Sequence, residues 1–211
     1  MVYFKFIFVI LTLSAFYSLG IIVIAQFFRI RLEEITIGVG RRFFSTYIRN
    51  TQVNFALFPI GGYYRLADYS YYSEKPKSLW EIRTKPFLVE VILVISGVFS
   101  LLALSFVILG PQEFLNTLSS SIVGYAKVFI LQSGSTNLGE GLDWLYISGF
   151  LAIQFAILHM IPFANLTGDR LIKLFIYQYA EDLDLAYNRY AFIKKILFGF
   201  IICILALNFI I

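Results

Sequence analysis

Four apolar runs, each about long enough to cross a bilayer, limit what this chain can fold into more than any other feature. They are Phe4 to Phe28, Phe87 to Leu109, Leu145 to Phe163 and Phe192 to Ile211. Crossing the hydrocarbon takes about 20 residues at about 1.5 Å of rise each. Lipid offers the backbone no hydrogen-bond partners, so each run is expected as a helix. The 211 residues are 59% hydrophobic and 14% charged, more apolar surface than a soluble domain of this size can bury. A shorter stretch, Ile122 to Leu131, is interrupted by Lys127 and reads as an interfacial or re-entrant helix. The first run continues past Ser14-Ala15 without a polar break, so it reads as a span and not as a cleaved signal.

Charge gives an expected orientation. The segment from Arg29 to Pro86 carries ten Lys and Arg residues and the segment from Gly110 to Trp144 carries one. The segment from Ala164 to Ala191, with Lys194 and Lys195, carries five. Four spans put the two basic segments on one side, so by the positive-inside rule they are cytoplasmic and both termini face outward. The net charge of +4 is thus a matter of topology, and no nucleic-acid partner is expected.

The segment between the first two spans alternates. RLEEITIGVG and VNFALFPIGGYYRL both carry period-two patterns with glycines, and two such runs can pair as a β-hairpin. At membrane depth its backbone has to be satisfied by protein contacts. The chemistry-bearing residues are sparse. There is one histidine, His159, and one cysteine, Cys203, so neither a disulfide framework nor an ordinary multi-ligand zinc site is expected. Ser18 has no Lys or His at helical spacing to activate it as a nucleophile.

Three stretches, in order, resemble the landmarks of the site-2 protease family, the M50-like intramembrane zinc metalloproteases. Tyr17-Ser18-Leu19-Gly20-Ile21 stands where that family carries H-E-x-x-H, and it runs on into RLEEITIGVG. PIGGYYRL resembles the family's P-L-G-G-Y-V-K-M. HMIPFANLTGDRL resembles N-L-L-P-I-P-x-L-D-G-G-R-L.

The resemblance implies a single domain over residues 1–211: a membrane all-α bundle of four transmembrane helices (4–28, 87–109, 145–163, 192–211). A small membrane-associated β-hairpin or sheet at 31–66 lies between helices 1 and 2. It places Tyr17, Ile21 and Thr167 at the zinc-ligand positions and Ser18 at the catalytic glutamate. None of these side chains suits its family role, so no enzyme activity, no metal and no cofactor are expected. The segment from Gly110 to Trp144 is also too short for the PDZ domain many members carry there.

What the resemblance leaves is the apparatus for holding an extended segment. Glu34, Thr36, Gly38, Gly40, Pro59, Gly61, Gly62 and Tyr63 are the expected partner-binding residues, and His159, Pro162, Asp169 and Arg170 the expected structural ones. The implied function is a scaffold or adaptor subunit that binds partner membrane or secreted proteins in a larger complex with other integral membrane proteins of a bacterial inner membrane, with an extended segment held at the hairpin edge. Two other readings stay open: an unconventional intramembrane hydrolase, with a relocated site using His159, Asp169 and Tyr17, and an accessory subunit of a transport or secretion machine.

Overall fold

The structure, a computed structural model, describes residues 2–48, 51–66, 85–129, 144–162, 166–182 and 184–196. The expected fourth span lies for its larger part outside the described residues, as do Cys203 and the stretches 67–84 and 130–143. The described elements run α1 (Val2–Phe27), β1 (Leu32–Ile48), β2 (Thr51–Leu66), α2 (Phe87–Leu109), α3 (Pro111–Phe129), α4 (Trp144–Met160) and α5 (Thr167–Tyr179). Residues 184–196 are helical and form α6.

Among the described residues two helices are long and apolar enough to cross a membrane, Lys5–Phe27 within α1 and Phe87–Leu109. The third expected span is apolar but has only 17 residues as α4, short of that length. It stops at Met160, and Pro162 just beyond disfavours continuation of the helix through Ile161. The short helix expected at Ile122 to Leu131 instead starts at Pro111 and covers 19 residues. Proline is pre-organised for a first helical position, and Gly110 between α2 and α3 lets the chain turn.

The end of α1 is built locally. Arg29 adopts φ 54°, the left-handed region, and Ile30 N–H donates to Ala25 O at 2.7 Å while Arg29 N–H donates to Gln26 O at 3.1 Å. This is a Schellman closure with arginine in place of the usual glycine, and the buried Ile30 packs over Ala25 as that motif favours.

Helix packing rests on small residues. A Cβ added at Gly20 would stand 2.7 Å from Ser100 Cβ, and the Ser100 hydroxyl donates to Phe16 O across the α1/α2 seam at 2.8 Å. Between membrane helices there is little hydrophobic driving force, so such close approach and interhelical hydrogen bonds supply the attraction. Ser105 Oγ donates to Gly149 O at 2.8 Å and ties α2 to α4. Tyr17 lies 4.4 Å, ring to ring, from His159, and Lys5 Nζ lies 5.3 Å from the Trp144 ring. Helices α1 and α4 therefore run in the same direction, with α2 antiparallel to both. Helix α3 leans on α4 through Gln154 Nε2, which donates to Ser121 Oγ at 2.7 Å.

The sheet is more than a plain hairpin. Both strands bend, and the register defines four arms. The inner arm 32–37 pairs antiparallel with 62–66, from Leu32–Leu66 to Ile37–Gly62. Its other side pairs in the same direction with 52–55, from Glu34–Gln52 to Ile37–Phe55. The outer arm 42–48 then pairs antiparallel with 51–56. Gly38 (φ 93°) and Gly40 (φ 99°) take the bend between the arms of β1, where most residues would be strained. Gly62 is consequently not a turn residue but a strand residue opposite Ile37.

Candidate functional site

The sheet reaches deep alongside α1. A Cβ at Gly62 would lie 3.4 Å from Ser18 Oγ and 2.5 Å from Thr36 O. Ser18 is nine residues before the end of α1, about 14 Å along the axis. The sheet thus lies alongside the middle of α1, and only a residue without a side chain fits between the inner arm and the helix at position 62.

The four positions singled out from the sequence are all buried, and two of them, Tyr17 and Thr167, meet directly. The Tyr17 hydroxyl and Thr167 Oγ1 are hydrogen-bonded at 2.8 Å, joining α1 to the first residue of α5. The Tyr17 ring fills the space over Gly97, where any Cβ would overlap it. Ser18 Oγ donates to Ser14 O at 3.0 Å, a local bond within its own helix. Ile21 is 2% exposed and belongs to the hydrophobic core with Leu13, Leu93 and Ala156.

His159, 2% exposed, joins the same group against the Tyr17 ring. Its Nδ1 lies 2.8 Å from Phe155 O, and since a carbonyl only accepts, Nδ1 carries the hydrogen. Its Nε2 has no hydrogen-bond partner among the described residues.

These donors do not suit a zinc ion. Zinc sites take several imidazole, thiolate or carboxylate ligands, and here one imidazole stands beside a phenol and a hydroxyl bonded to each other. Among the described residues no group of three or more His, Cys, Asp or Glu side chains could hold a metal ion.

The first turn of α5 ties the site to four other elements. Thr167 meets Tyr17 of α1. Gly168 packs so closely on the Met160 carbonyl at the end of α4 that a Cβ would overlap it. Asp169, fully buried, pairs with Lys173 at 2.8 Å and with Lys194 of α6 at 2.9 Å, and accepts from the Tyr190 hydroxyl at 2.7 Å. The Arg170 guanidinium lies 4.3 Å from the Tyr64 ring on the sheet, a cation–π contact. Burial pushes the Asp169 carboxyl up, but hydrogen bonds from Lys173, Tyr190 and Lys194 together with the Lys173 charge outweigh it and hold it at about 2. Conversely, burial and the adjacent carboxylate push the Tyr190 phenol upward. Pro162 is half-buried in the bend after α4.

On the sheet, Glu34 and Thr36 sit on the inner arm with strands on both sides, and both are buried. Neither is therefore at an edge. Glu34 is instead the acceptor at the middle of a polar cluster. Its Oε1 receives Asn54 Nδ2 at 2.7 Å, the Tyr63 hydroxyl at 2.8 Å, Thr36 Oγ1 at 3.3 Å and the Arg42 guanidinium. Arg65 lies 3.8 Å from Oε2. The edges of the sheet are the 62–66 arm, which carries Gly62 and Tyr63, and the 42–48 arm; Pro59 and Gly61 lie on the β2 backbone leading into the former.

Asn54, Arg42, Tyr64 and Lys194 were not singled out from the sequence. The alternation of Gln52 and Asn54 in TQVNFALF was the available signal for the polar face. Nothing local pointed to the long-range pairing of Asp169 with Lys194.

Peptidase family M50 matches the chain over residues 5–205, nearly its whole length. No curated protein matches it. With that match over nearly its whole length, the chain belongs to peptidase family M50.

Proposed function

We propose that this chain is a non-catalytic member of its family, a membrane scaffold or adaptor that holds a segment of a partner membrane protein without cutting it. The observation that carries the reading is the Tyr17–Thr167 hydrogen bond, made between two side chains at positions where the family resemblance expects zinc ligands. Ile21, at a third such position, is packed into the core and has no atom able to ligate. What supports the reading is that Tyr17 and Thr167 spend their hydroxyls on each other in a buried setting. The remaining capacity of the fold is strand addition at the 62–66 edge of the sheet, by main-chain hydrogen bonds to an extended partner segment. The proposed setting is a bacterial inner membrane with both termini outward, in complex with other integral membrane proteins.

Recovery of partners in mild detergent tests the role. Gly61→Pro removes a backbone donor from β2, and loss of copurifying proteins is the expected result. Unchanged recovery counts against binding at this edge. Metal analysis of the purified chain tests the loss of catalysis: stoichiometric zinc that disappears in His159→Ala overturns it.

A further inference from the structure

We propose that the outer arm of the sheet, residues 42–48, is an internal strand latched in place by Arg42, and that it occupies the position of an extended partner strand carrying a basic residue. The inference rests on the reading that the sheet receives a partner segment, but it names a different edge and a different control.

The two arms of β1 are held unequally. The inner arm is paired on both sides and sends Ile35 into the core. The outer arm is paired only with 51–56, and Phe43, Phe44, Tyr47 and Ile48 are all exposed, with Phe44 leaning on Phe55 at 5.9 Å between rings. Between the arms lie Gly38 and Gly40 and a run of register shifts from Ile37 to Phe44, the makings of a hinge. The polar tie across that hinge is Arg42, whose guanidinium reaches both Glu34 and the Tyr63 hydroxyl.

Glu34 itself cannot follow the arm. It is on the inner arm, with a side chain only 5% exposed against 42% for Arg42. If the outer arm swings out, the unpaired backbone groups of 52–55 become a free edge of the kind that accepts another strand. At the same time Glu34 loses the shorter of its two ion pairs and keeps Arg65 at 3.8 Å, with the hydrogen bonds from Asn54, Tyr63 and Thr36. A buried carboxylate that loses its shorter ion pair is weakened, so a replacing strand that brings a Lys or Arg to the Arg42 position is favoured over one that does not.

Hydrogen exchange on the full chain in detergent reads the latch without any partner. In Arg42→Gln, amides of 42–48 are expected to exchange about tenfold faster, while 32–37 and 62–66 keep their protection. A Tyr47→Cys/Gln52→Cys disulfide, placed on a cross-strand pair, is expected to return that exchange to the wild-type rate. Unchanged exchange in 42–48, or equal loosening of the inner arm, overturns the latch. The strand site is read by photo-crosslinking a short peptide of alternating Val and Thr with one central Arg. Greater capture by Arg42→Gln than by wild type, and weaker capture when the peptide Arg is Gln, is expected. Equal capture in all cases overturns the displaced-strand proposal, whereas failure of the Gly61→Pro experiment bears only on the other edge.

Discussion

Tyr17 and Thr167, separated by 150 positions in the sequence, share a 2.8 Å hydrogen bond in the interior of the bundle. It joins the middle of the first helix to the first residue of the fifth, so its strength is measurable as stability. Tyr17→Phe leaves a buried hydroxyl at Thr167 without its partner and is expected to destabilise the solubilised chain by about 1–2 kcal/mol. The double variant Tyr17→Phe/Thr167→Val is expected to lose less than the sum of the two single changes. Thermal unfolding of all four proteins in one detergent closes the cycle, and strict additivity would mean the bond contributes nothing.

The Tyr17 ring also fixes what α2 can carry at position 97. Because a Cβ there would overlap the ring, Gly97→Ala is expected to cost about 1–3 kcal/mol through overpacking. Combining it with Tyr17→Ala removes the obstacle. The added cost of Gly97→Ala in that background is expected to be near zero, read from the same unfolding transitions.

Asp169 gives stability a defined acid limb. Its carboxyl sits at about 2 in the folded chain against an ordinary value of 3.8, so the folded state prefers it ionised. The contribution is complete above the ordinary value and is lost as pH falls through about 2. The size is about 2 kcal/mol at neutral pH. Asp169→Asn is therefore expected to be less stable than wild type by about that amount from pH 7 to pH 5, with the gap closing between about pH 4 and pH 2. A gap that does not change with pH would assign the loss to packing and not to charge.

On the non-catalytic reading proposed above, placing the family's ligands at these positions is expected to create a zinc site. The fourfold change Tyr17→His, Ser18→Glu, Ile21→His and Thr167→Asp is expected to bring about one zinc per chain through purification, with none in the wild type. Elemental analysis decides it. Absence of zinc in the fourfold variant would show that the backbone no longer presents these positions to a common point.

The long elements were legible because lipid and alternation impose strong rules. The expected spans 4–28 and 87–109 correspond to helices Val2–Phe27 and Phe87–Leu109. The strand region expected at 31–66 is occupied by β1 and β2. The early start of α3 was hidden because PQEFLNTLSS mixes polar and apolar residues with no uninterrupted run. The four-arm sheet was hidden for another reason. Gly38 and Gly40 announced a bend, but which faces pair after it depends on the helix that Gly62 packs against. Around the site, the positions Tyr17, Ser18, Ile21 and Thr167 could be read from the family's spacing, whereas the Glu34 cluster needed the fold to bring Asn54, Tyr63 and Arg42 onto one carboxylate.

A zinc ion would tie distant helices together at one point, and losing any ligand would weaken the whole tie. In this chain residues 167–170 divide the task among a hydroxyl, a glycine, a carboxylate and a guanidinium, each fastened to a different neighbour. The arrangement has redundancy: a change at one of the four leaves three fastenings. A fold secured this way can accumulate substitutions around Tyr17 while keeping its shape.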